Sequence, residues 1–193
     1  MKKTYLIIFL TLFSVGQAFS ATPEQIVKKL VNAIKLKKYG ENLSEQDKAH
    51  NLKMTRIAAT CFDLNQMTKS ALIDHWDEIT PETQNLLLQK VKDLVIKMAY
   101  PANNPDVQKI QIIYKGQQIN GDEAVVNSLL IMNDKELKID YKFYKKGNSW
   151  LIYDIISEQV SLIDGYKKQF NFIIKTQSVD KLIEILDKKL EGN

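Results

Sequence analysis

The feature that most restricts the fold is a change in the spacing of apolar residues along the chain. In residues 22–100 they recur every three or four positions, which is typical of helices that bury one face. From Val107 to Ile156 the spacing becomes two, the period of a β-strand, and helical spacing then returns. This order predicts an α+β fold in one domain, with helices at 22–100, a sheet at 106–158 and terminal helices at 161–191.

Capping residues predict where the first helices begin. Thr22 precedes Pro23 and is followed by Gln25, a combination that caps a helix N-terminus from both sides. The same Thr-Pro opening recurs at Thr80. The first predicted helix begins at Thr22. The next three span Ser44 to Thr60, Asn65 to Trp76, and Thr80 to Ala99.

Turn residues divide the period-two region into strands. Asn120-Gly121, Asn133-Asp134 and Gly147-Asn148 are typical of tight hairpin turns. The region therefore predicts an antiparallel meander of four strands. These strands span Val107 to Ile119, Asp122 to Met132, Lys135 to Lys146 and Ser149 to Ile156.

The first twenty residues have the pattern of a secretory signal. Lys2 and Lys3 precede an apolar run from Tyr5 to Val15, and small residues follow it. We therefore expect residues 1–20 to be a cleaved signal peptide and residues 21–193 to be the mature domain. A single cysteine, Cys61, cannot form an intramolecular disulfide, and an exported domain of this kind fits a bacterial periplasm.

Charge and composition exclude several classes of function. The net charge is +4, and loss of Lys2 and Lys3 with the signal leaves +2. Arg56 is the only arginine, so the planar groups that read bases and clamp phosphates are nearly absent, and no nucleic-acid partner is expected. His50 and His75 lack metal-ligand spacing, and the seven glycines form no phosphate loop or nucleophile elbow. We expect no catalytic residue, metal or cofactor.

Several strand segments are apolar on both faces, more than a sheet covered on one side requires. Examples are Val125-Val126, Leu129 to Met132 and Leu151 to Tyr153. Either helices cover both faces of the sheet or the fold encloses an apolar cavity. A cavity would suit lipid carriage, a function that needs ordinary apolar side chains and no catalytic motif.

Two acids, Asp154 and Glu158, stand in an otherwise apolar run near the end of the sheet. Strict alternation places Trp150, Ile152 and both acids on one face, and Ile155 on the other. At about 3.3 Å per residue the acids lie roughly 13 Å apart. Two carboxylates that flank one reacting bond lie about 5 to 9.5 Å apart, so a catalytic pair is not expected.

Several sequence blocks resemble those of the MlaC family, also called the toluene-tolerance Ttg2 family, of periplasmic phospholipid-binding proteins. The blocks keep the order of the family and span most of the mature chain. Gln159 stands where the family signature has Gly, and Lys167 where it has Arg. The matching residues are Phe62, Asp63, Met67, Trp76, Thr80, Pro81, Glu82, Asp140, Tyr141, Trp150, Tyr153, Asp154, Glu158, Val160, Ser161, Leu162, Tyr166 and Phe170.

The resemblance implies a curved, NTF2-like antiparallel sheet of four strands, wrapped by helices and enclosing an apolar cavity for phospholipid tails. It also implies periplasmic shuttling of phospholipid between an outer-membrane lipoprotein complex and an inner-membrane ABC transporter with a substrate-binding domain, which maintains outer-membrane lipid asymmetry. We expect Asp154 and Glu158 to accept hydrogen bonds from backbone N–H groups and lysines, and so to fix the Tyr166 helix over the cavity.

The helix that begins at Thr80 is expected to form one cavity wall against the strands, although the pattern leaves the inward strand face open. Lys97 and Lys167 are the candidates for headgroup contact. A carrier of another lipid such as a hopanoid, an NTF2-like enzyme with a buried acid, and a pure interaction module remain alternatives. The predicted lipid-binding residues are Leu87, Val91, Val95, Met98, Val126, Leu130, Tyr141, Phe143, Tyr166 and Phe170.

Overall fold

The computed structural model describes residues 20–98, 105–133 and 135–191, with the backbone alone for residues 95–98 and 105. Nearly all of the expected signal peptide therefore lies outside the described residues. The helices are α1 (Pro23–Lys35), α2 (Glu45–Ala59), α3 (Leu64–Ala71), α4 (Pro81–Met98), α5 (Leu162–Thr176) and α6 (Val179–Glu191). The strands are β1 (Gln111–Asn120), β2 (Glu123–Met132), β3 (Lys135–Lys146), β4 (Ser149–Ser157) and β5 (Val160–Ser161).

The predicted cap of α1 is present in the structure. The side-chain oxygen of Thr22 accepts a hydrogen bond from the Gln25 N–H at 3.3 Å, and the Gln25 side chain accepts one from the Thr22 N–H at 2.9 Å. Pro23 occupies the first helical position, where its missing N–H costs nothing. Ser44 and Asp47 cap α2 in the same reciprocal way. These local contacts explain why the starts of both helices could be predicted.

Two predicted boundaries are wrong. The third helix ends at Ala71 instead of Trp76, and Trp76 to Glu78 form a separate 3-10 turn. The Trp76 and His75 side chains are buried there, so tertiary contacts override the helical spacing. The first strand begins at Gln111 because a 3-10 turn, Pro105–Lys109, precedes it.

The sheet confirms the predicted antiparallel meander, but it has five strands in the part of the chain that the structure describes. Its order is β1-β2-β3-β4-β5, and each neighbouring pair is antiparallel. The four-strand prediction is wrong because Val160 and Ser161 pair back onto the end of β4. Glu158 and Gln159 lie between β4 and β5. Both have a positive φ, of 47° and 69°, as a tight hairpin turn requires.

A bulge in β4 breaks the alternation expected from the sequence. Phe143 pairs with Ile152, but two positions earlier in β3 Tyr141 pairs with Ile155, so β4 contains one extra residue. Cross-strand partners share a face of the sheet, and Tyr141 and Phe143 share one as well. The prediction that Ile152 and Ile155 lie on opposite faces is therefore wrong, because the extra residue reverses the parity.

The apolar interior consists of two clusters. The sheet cluster joins one face of the sheet to α1 and α2, with Val27, Phe143 and Ile152 fully buried at its centre. The helix cluster joins the end of α3 to α4, α5 and α6, with Leu72, Leu87 and Leu182 at its centre.

Candidate functional site

An apolar cavity of about 390 Å³ lies between the sheet cluster and the helix cluster. Its walls come from α1, the segment before α3, the second half of α3, α4, α5 and the inner face of β3 and β4. The lining residues are Leu30, Ile34, Phe62, Met67, Thr68, Ala71, Val91, Leu94, Tyr141, Ile155, Leu162, Ile163, Tyr166 and Phe170.

The few polar groups in this lining are neutral. The Thr68 hydroxyl donates a hydrogen bond to the Leu64 carbonyl at 2.8 Å, within its own helix. Burial raises the pKa of the Tyr141 phenol to about 12, so it stays protonated at neutral pH. Tyr166 is half-buried and its ring packs against Phe170, with centroids 5.6 Å apart. The fourteen lining residues include no carboxylate, imidazole, thiol or ammonium group.

Four of the predicted lipid-binding residues meet at this cavity. Val91 contributes from α4, Tyr141 from β3, and Tyr166 and Phe170 from α5. They come from three elements that are distant in sequence. That they contact lipid stays a prediction.

Four other predicted residues lie in the apolar clusters and outside the cavity lining. Val126 and Phe143 are fully buried in the sheet cluster, and Leu130 packs against that cluster. Leu87 is fully buried in the helix cluster. Their role in lipid binding stays a prediction.

The two headgroup candidates differ in what the structure describes. The side chain of Lys97 lies outside the described residues, as do those of Val95 and Met98. Lys167 is half-exposed and its ammonium group lies 3.0 Å from the carboxylate of Asp74. A headgroup contact by Lys167 would therefore compete with this ion pair.

Sequence reasoning missed most of the α1 and α3 walls. The apolar stripe of α1 was recognised, but a stripe alone does not distinguish a residue that meets a cavity from one that meets another side chain. Phe62 and Met67 belong to a sequence block shared with the MlaC family, and this signal could have indicated them. The missed lining residues are Leu30, Ile34, Phe62, Met67, Thr68, Ala71, Leu94, Ile155, Leu162 and Ile163.

An outer groove of about 360 Å³ adjoins the cavity on the side of β5. Ile155, Leu162 and Tyr166 line both spaces. The remaining groove residues are Ser157, Val160, Ser161, Gly165 and Gln169. Val160 is 66% exposed, so part of this apolar surface faces solvent.

A polar recess of about 680 Å³ adjoins the cavity on the opposite side of Phe62. Arg56, Lys92 and Lys146 line it together with Asp63 and other residues. Among the described residues, Arg56 and Lys92 have no hydrogen-bond or ion-pair partner, whereas Lys146 lies 2.8 Å from the Asp63 carboxylate. The recess therefore places unpaired cationic groups next to an apolar cavity wall.

Asp63 anchors the segment that holds Phe62 in this wall. Its N–H donates to the Ile152 carbonyl at 3.0 Å, which attaches the segment to β4. Its carboxylate caps α3 by accepting from the Gln66 N–H at 2.9 Å, and it accepts from Tyr144 and Lys146. Burial alone would raise the pKa of Asp63, but these hydrogen bonds outweigh it and the pKa is lowered.

Asp154 anchors the start of α5, the helix that supplies four cavity residues. It is buried, and its carboxylate accepts hydrogen bonds from the Ser161 hydroxyl at 2.8 Å and the Ile163 N–H at 3.2 Å. Glu158 lies in the β4–β5 turn, where its side chain accepts from the Lys138 N–H at 2.6 Å. The donors found for the two acids are thus backbone N–H groups and a hydroxyl, and the expected lysine ammonium groups are not among them in the described residues.

The histidines and the cysteine have structural partners. His50 lies 2.8 Å from the Leu36 carbonyl, and His75 lies 2.8 Å from the Asn171 side chain. Burial raises the pKa of the Cys61 thiol, which is in the sheet cluster. No group of three or more potential metal ligands occurs among the residues that the structure describes. Within that same part of the chain, no helix has the length and apolar character to cross a bilayer.

Comparison with known proteins identifies both a family and a fold. The family model described as MlaC protein matches residues 24–188 of this chain. A phospholipid-binding protein from Ralstonia solanacearum, solved in complex with a phospholipid, has a similar fold with a TM-score of 0.65. The two chains are 24% identical, and the match covers 87% of this chain and 94% of the other. The comparison with curated proteins found no match.

Proposed function

The chain belongs to the MlaC family, and we propose that it is a phospholipid carrier that shields acyl chains in the cavity between the sheet and helix clusters. The observation that carries the proposal is the lining of that cavity, in which the described residues are apolar except for Thr68, Tyr141 and Tyr166. The Ralstonia protein of similar fold, which binds a phospholipid, supports the same class of ligand.

The physical task of such a carrier is to keep hydrocarbon out of water. Two acyl chains hold roughly 30 methylenes, and exposing them at about 0.8 kcal/mol each would cost on the order of 20 kcal/mol. Transfer from a bilayer to an apolar cavity exchanges one hydrocarbon environment for another, so its free energy nearly cancels. Loading and release can then both proceed without a chemical step, which fits a lining whose described residues are apolar apart from three neutral hydroxyl groups.

The cellular part of the proposal rests on family membership. In this proposal, residues 1–20 direct export and residues 21–193 form the mature periplasmic domain. The sheet and helices of that domain are of the NTF2-like type. The carrier exchanges phospholipid with an outer-membrane lipoprotein complex and with an inner-membrane ABC transporter that has a substrate-binding domain. This exchange would maintain the lipid asymmetry of the outer membrane.

Mass spectrometry of lipid extracted from protein purified without detergent tests the proposal. We expect glycerophospholipid at close to one molecule per chain. A hopanoid or sterol-like molecule in its place would redirect the ligand class while retaining the carrier function. Protein that contains no lipid, and that takes none from phospholipid vesicles, would contradict the proposal and favour an interaction module or an enzyme.

A further inference from the structure

The outward face of α5 and the short strand before it carry exposed apolar side chains. Phe172 and Val160 are each 66% exposed, the highest values among the large apolar side chains that the structure describes, and Leu162 is 40% exposed. Single apolar residues on a surface need no explanation, but three within one short segment mark an interaction surface.

Helix geometry brings these residues to one side of α5. At about 100° per residue, Phe172 lies about 80° around the helix from Leu162, and the exposed residues Gly165 and Gln169 lie between them. Phe170, which is buried in the helix cluster, points about 160° away from Phe172. We call the outward-facing set the α5 strip; it consists of Val160, Leu162, Gly165, Gln169 and Phe172.

Lysines border the α5 strip. Lys168 and Lys175 are exposed, lie about 40° and 60° around the helix from Phe172, and have no ion-pair partner among the described residues. The helix contains three lysines and one acid, Asp164 in its first turn, and so has a net charge of +2. The surface therefore combines apolar side chains with cationic groups and complements an anionic partner.

The size of the α5 strip favours a lipid surface over a protein. The strip extends about 15 Å along the helix and about 10 Å across it, roughly 150 Å². Each partner in a stable protein interface buries about 800 Å², so this strip alone is too small to hold a second copy or another protein. A helix with Phe and Leu on one side and Lys beside them is typical of segments that lie in the interface of an anionic bilayer.

The α5 strip also lies next to the proposed lipid site. Leu162, at one end of the strip, lines both the outer groove and the apolar cavity, as does Tyr166 one helical turn further on. A surface in contact with a bilayer through this strip would thus have the groove and the cavity directly beside the lipid.

We propose that the α5 strip is the surface by which the protein contacts an anionic phospholipid bilayer. Val160, Leu162 and Phe172 enter the interface between headgroups and acyl chains, and Lys168 and Lys175 face the lipid phosphates. The choice of a bilayer as partner rests on the proposed function, and the contact is additional to any exchange with protein complexes.

Binding to vesicles of equal parts phosphatidylglycerol and phosphatidylcholine tests the apolar part of the contact. We expect Phe172→Ser to weaken vesicle binding at least about fivefold, because it removes the most exposed aromatic group of the strip. Leu52→Ser is the matched control, since Leu52 is 50% exposed on α2, a helix that packs against α1, and it should bind within about twofold of wild type.

A pair of double variants tests the cationic part. Lys168→Gln combined with Lys175→Gln should weaken binding to the same vesicles at least about threefold at low salt and leave binding to pure phosphatidylcholine vesicles unchanged. Lys48→Gln combined with Lys53→Gln removes the same charge from exposed positions of α2 and should have less effect. Equal losses in the two double variants would mean that only net charge matters and would overturn the inference.

A fluorescent reporter shows directly which surface meets the bilayer. Phe172→Trp places an indole in the strip, whereas the native Trp76 and Trp150 are buried. Relative to wild type, we expect its emission to shift to the blue when the phosphatidylglycerol vesicles are added, and Leu52→Trp to show no shift. A shift at both positions, or at neither, would overturn the inference.

Uptake of a short-chain phosphatidylglycerol, dispersed below its micelle concentration and without vesicles, separates this inference from the proposed function. Phe172 lies outside the cavity lining, so Phe172→Ser should take up this lipid as wild type does. A wild-type protein that takes up the dispersed lipid but does not bind the vesicles would overturn the inference alone. A wild-type protein that takes up no lipid would overturn the proposed function, whatever its binding to vesicles.

Discussion

The carboxylate of Asp154 accepts a hydrogen bond from the hydroxyl of Ser161 at 2.8 Å, across the tight turn between β4 and β5. Ser161 is also the N-cap of α5, because its oxygen accepts from the Asp164 N–H at 3.0 Å. The two bonds connect the sheet to the first turn of the helix that carries Tyr166 and Phe170. The buried carboxylate of Asp154 thus helps to position one cavity wall.

Asp154→Ala should lower the free energy of unfolding by about 2 to 3 kcal/mol. The substitution leaves the Ser161 hydroxyl and the Ile163 N–H, both half-buried, without this acceptor, and each such group costs about 1 to 1.5 kcal/mol, the lower part of the range for unsatisfied groups. Asp154→Asn keeps one carbonyl oxygen and should lose about half as much. Urea unfolding measures both values, and lipid loading should fall in the same order. If both variants retained wild-type stability and loading, Asp154 would have no anchoring role.

Gln159→Gly should stabilise the protein by about 0.5 to 1 kcal/mol. Gln159 has a φ of 69°, a conformation that costs an L-residue about 1 to 2 kcal/mol and costs glycine almost nothing. The substitution removes this strain, but glycine loses more chain entropy on folding, so only part of the gain remains. The neighbouring variant Glu158→Gly is the control, because φ is positive there too. That variant should destabilise by about 1 kcal/mol, since the Glu158 side chain accepts a hydrogen bond from Lys138. If the free energy of unfolding changed in the same direction in both variants, the result would contradict this account of the turn.

Asp63 should make the protein less stable in acid. Its pKa in the folded state lies below the unfolded value of about 3.9, so the ionised carboxylate stabilises the fold above about pH 4. This contribution is lost as the pH falls through the lowered pKa. We expect the unfolding free energy of Asp63→Asn to be lower than that of wild type at pH 7 and to fall less steeply below pH 4. Denaturant titrations from pH 7 to pH 2.5 measure the unfolding free energy of both proteins. If it fell with pH equally steeply in the variant and in wild type, the result would contradict this role of Asp63.

The helix starts and the meander were predictable because their causes are local. Thr22 and Gln25 satisfy each other within one turn, and a two-residue turn determines which strands become neighbours. The bulge in β4 has no such local cause. It becomes visible only when Tyr141 pairs with Ile155 and Phe143 with Ile152, so the prediction of which residues share a face of β4 is wrong beyond Ile152.

The cavity lining was predictable only in part for a related reason. Tyr141 and Phe143 lie on the same face of β3 and both are buried, but only Tyr141 lines the cavity. Alternation identifies which face is buried and cannot tell whether a helix or an empty space covers a given residue. That distinction depends on how α3, α4 and α5 pack, which involves contacts between residues far apart in sequence.

Val91→Glu should empty the cavity. Val91 is half-buried and lines the cavity, and a carboxylate there would lose much of its hydration without a cationic partner in the lining. We expect the variant to retain the fold and to lose most of its extracted lipid. Leu86→Glu is the control, because Leu86 is 42% exposed on the same helix and does not line the cavity. Wild-type lipid content in Val91→Glu would contradict the location of the binding site.

Phospholipids with equal chains and different headgroups should bind with similar affinity. A phosphodiester gains little from full burial, because desolvating its charge costs several kcal/mol unless a partner compensates. Among the described residues, the cationic groups beside the cavity are exposed or only half-buried. They are Arg56, Lys92 and Lys146 in the polar recess, and Lys167, which is paired with Asp74. Contacts of this kind are weak and screened by salt, so binding should depend mainly on the chains. Competition between such lipids at physiological ionic strength measures the difference. A preference above roughly tenfold, about 1.4 kcal/mol, would require a specific polar site for the headgroup and would contradict this expectation.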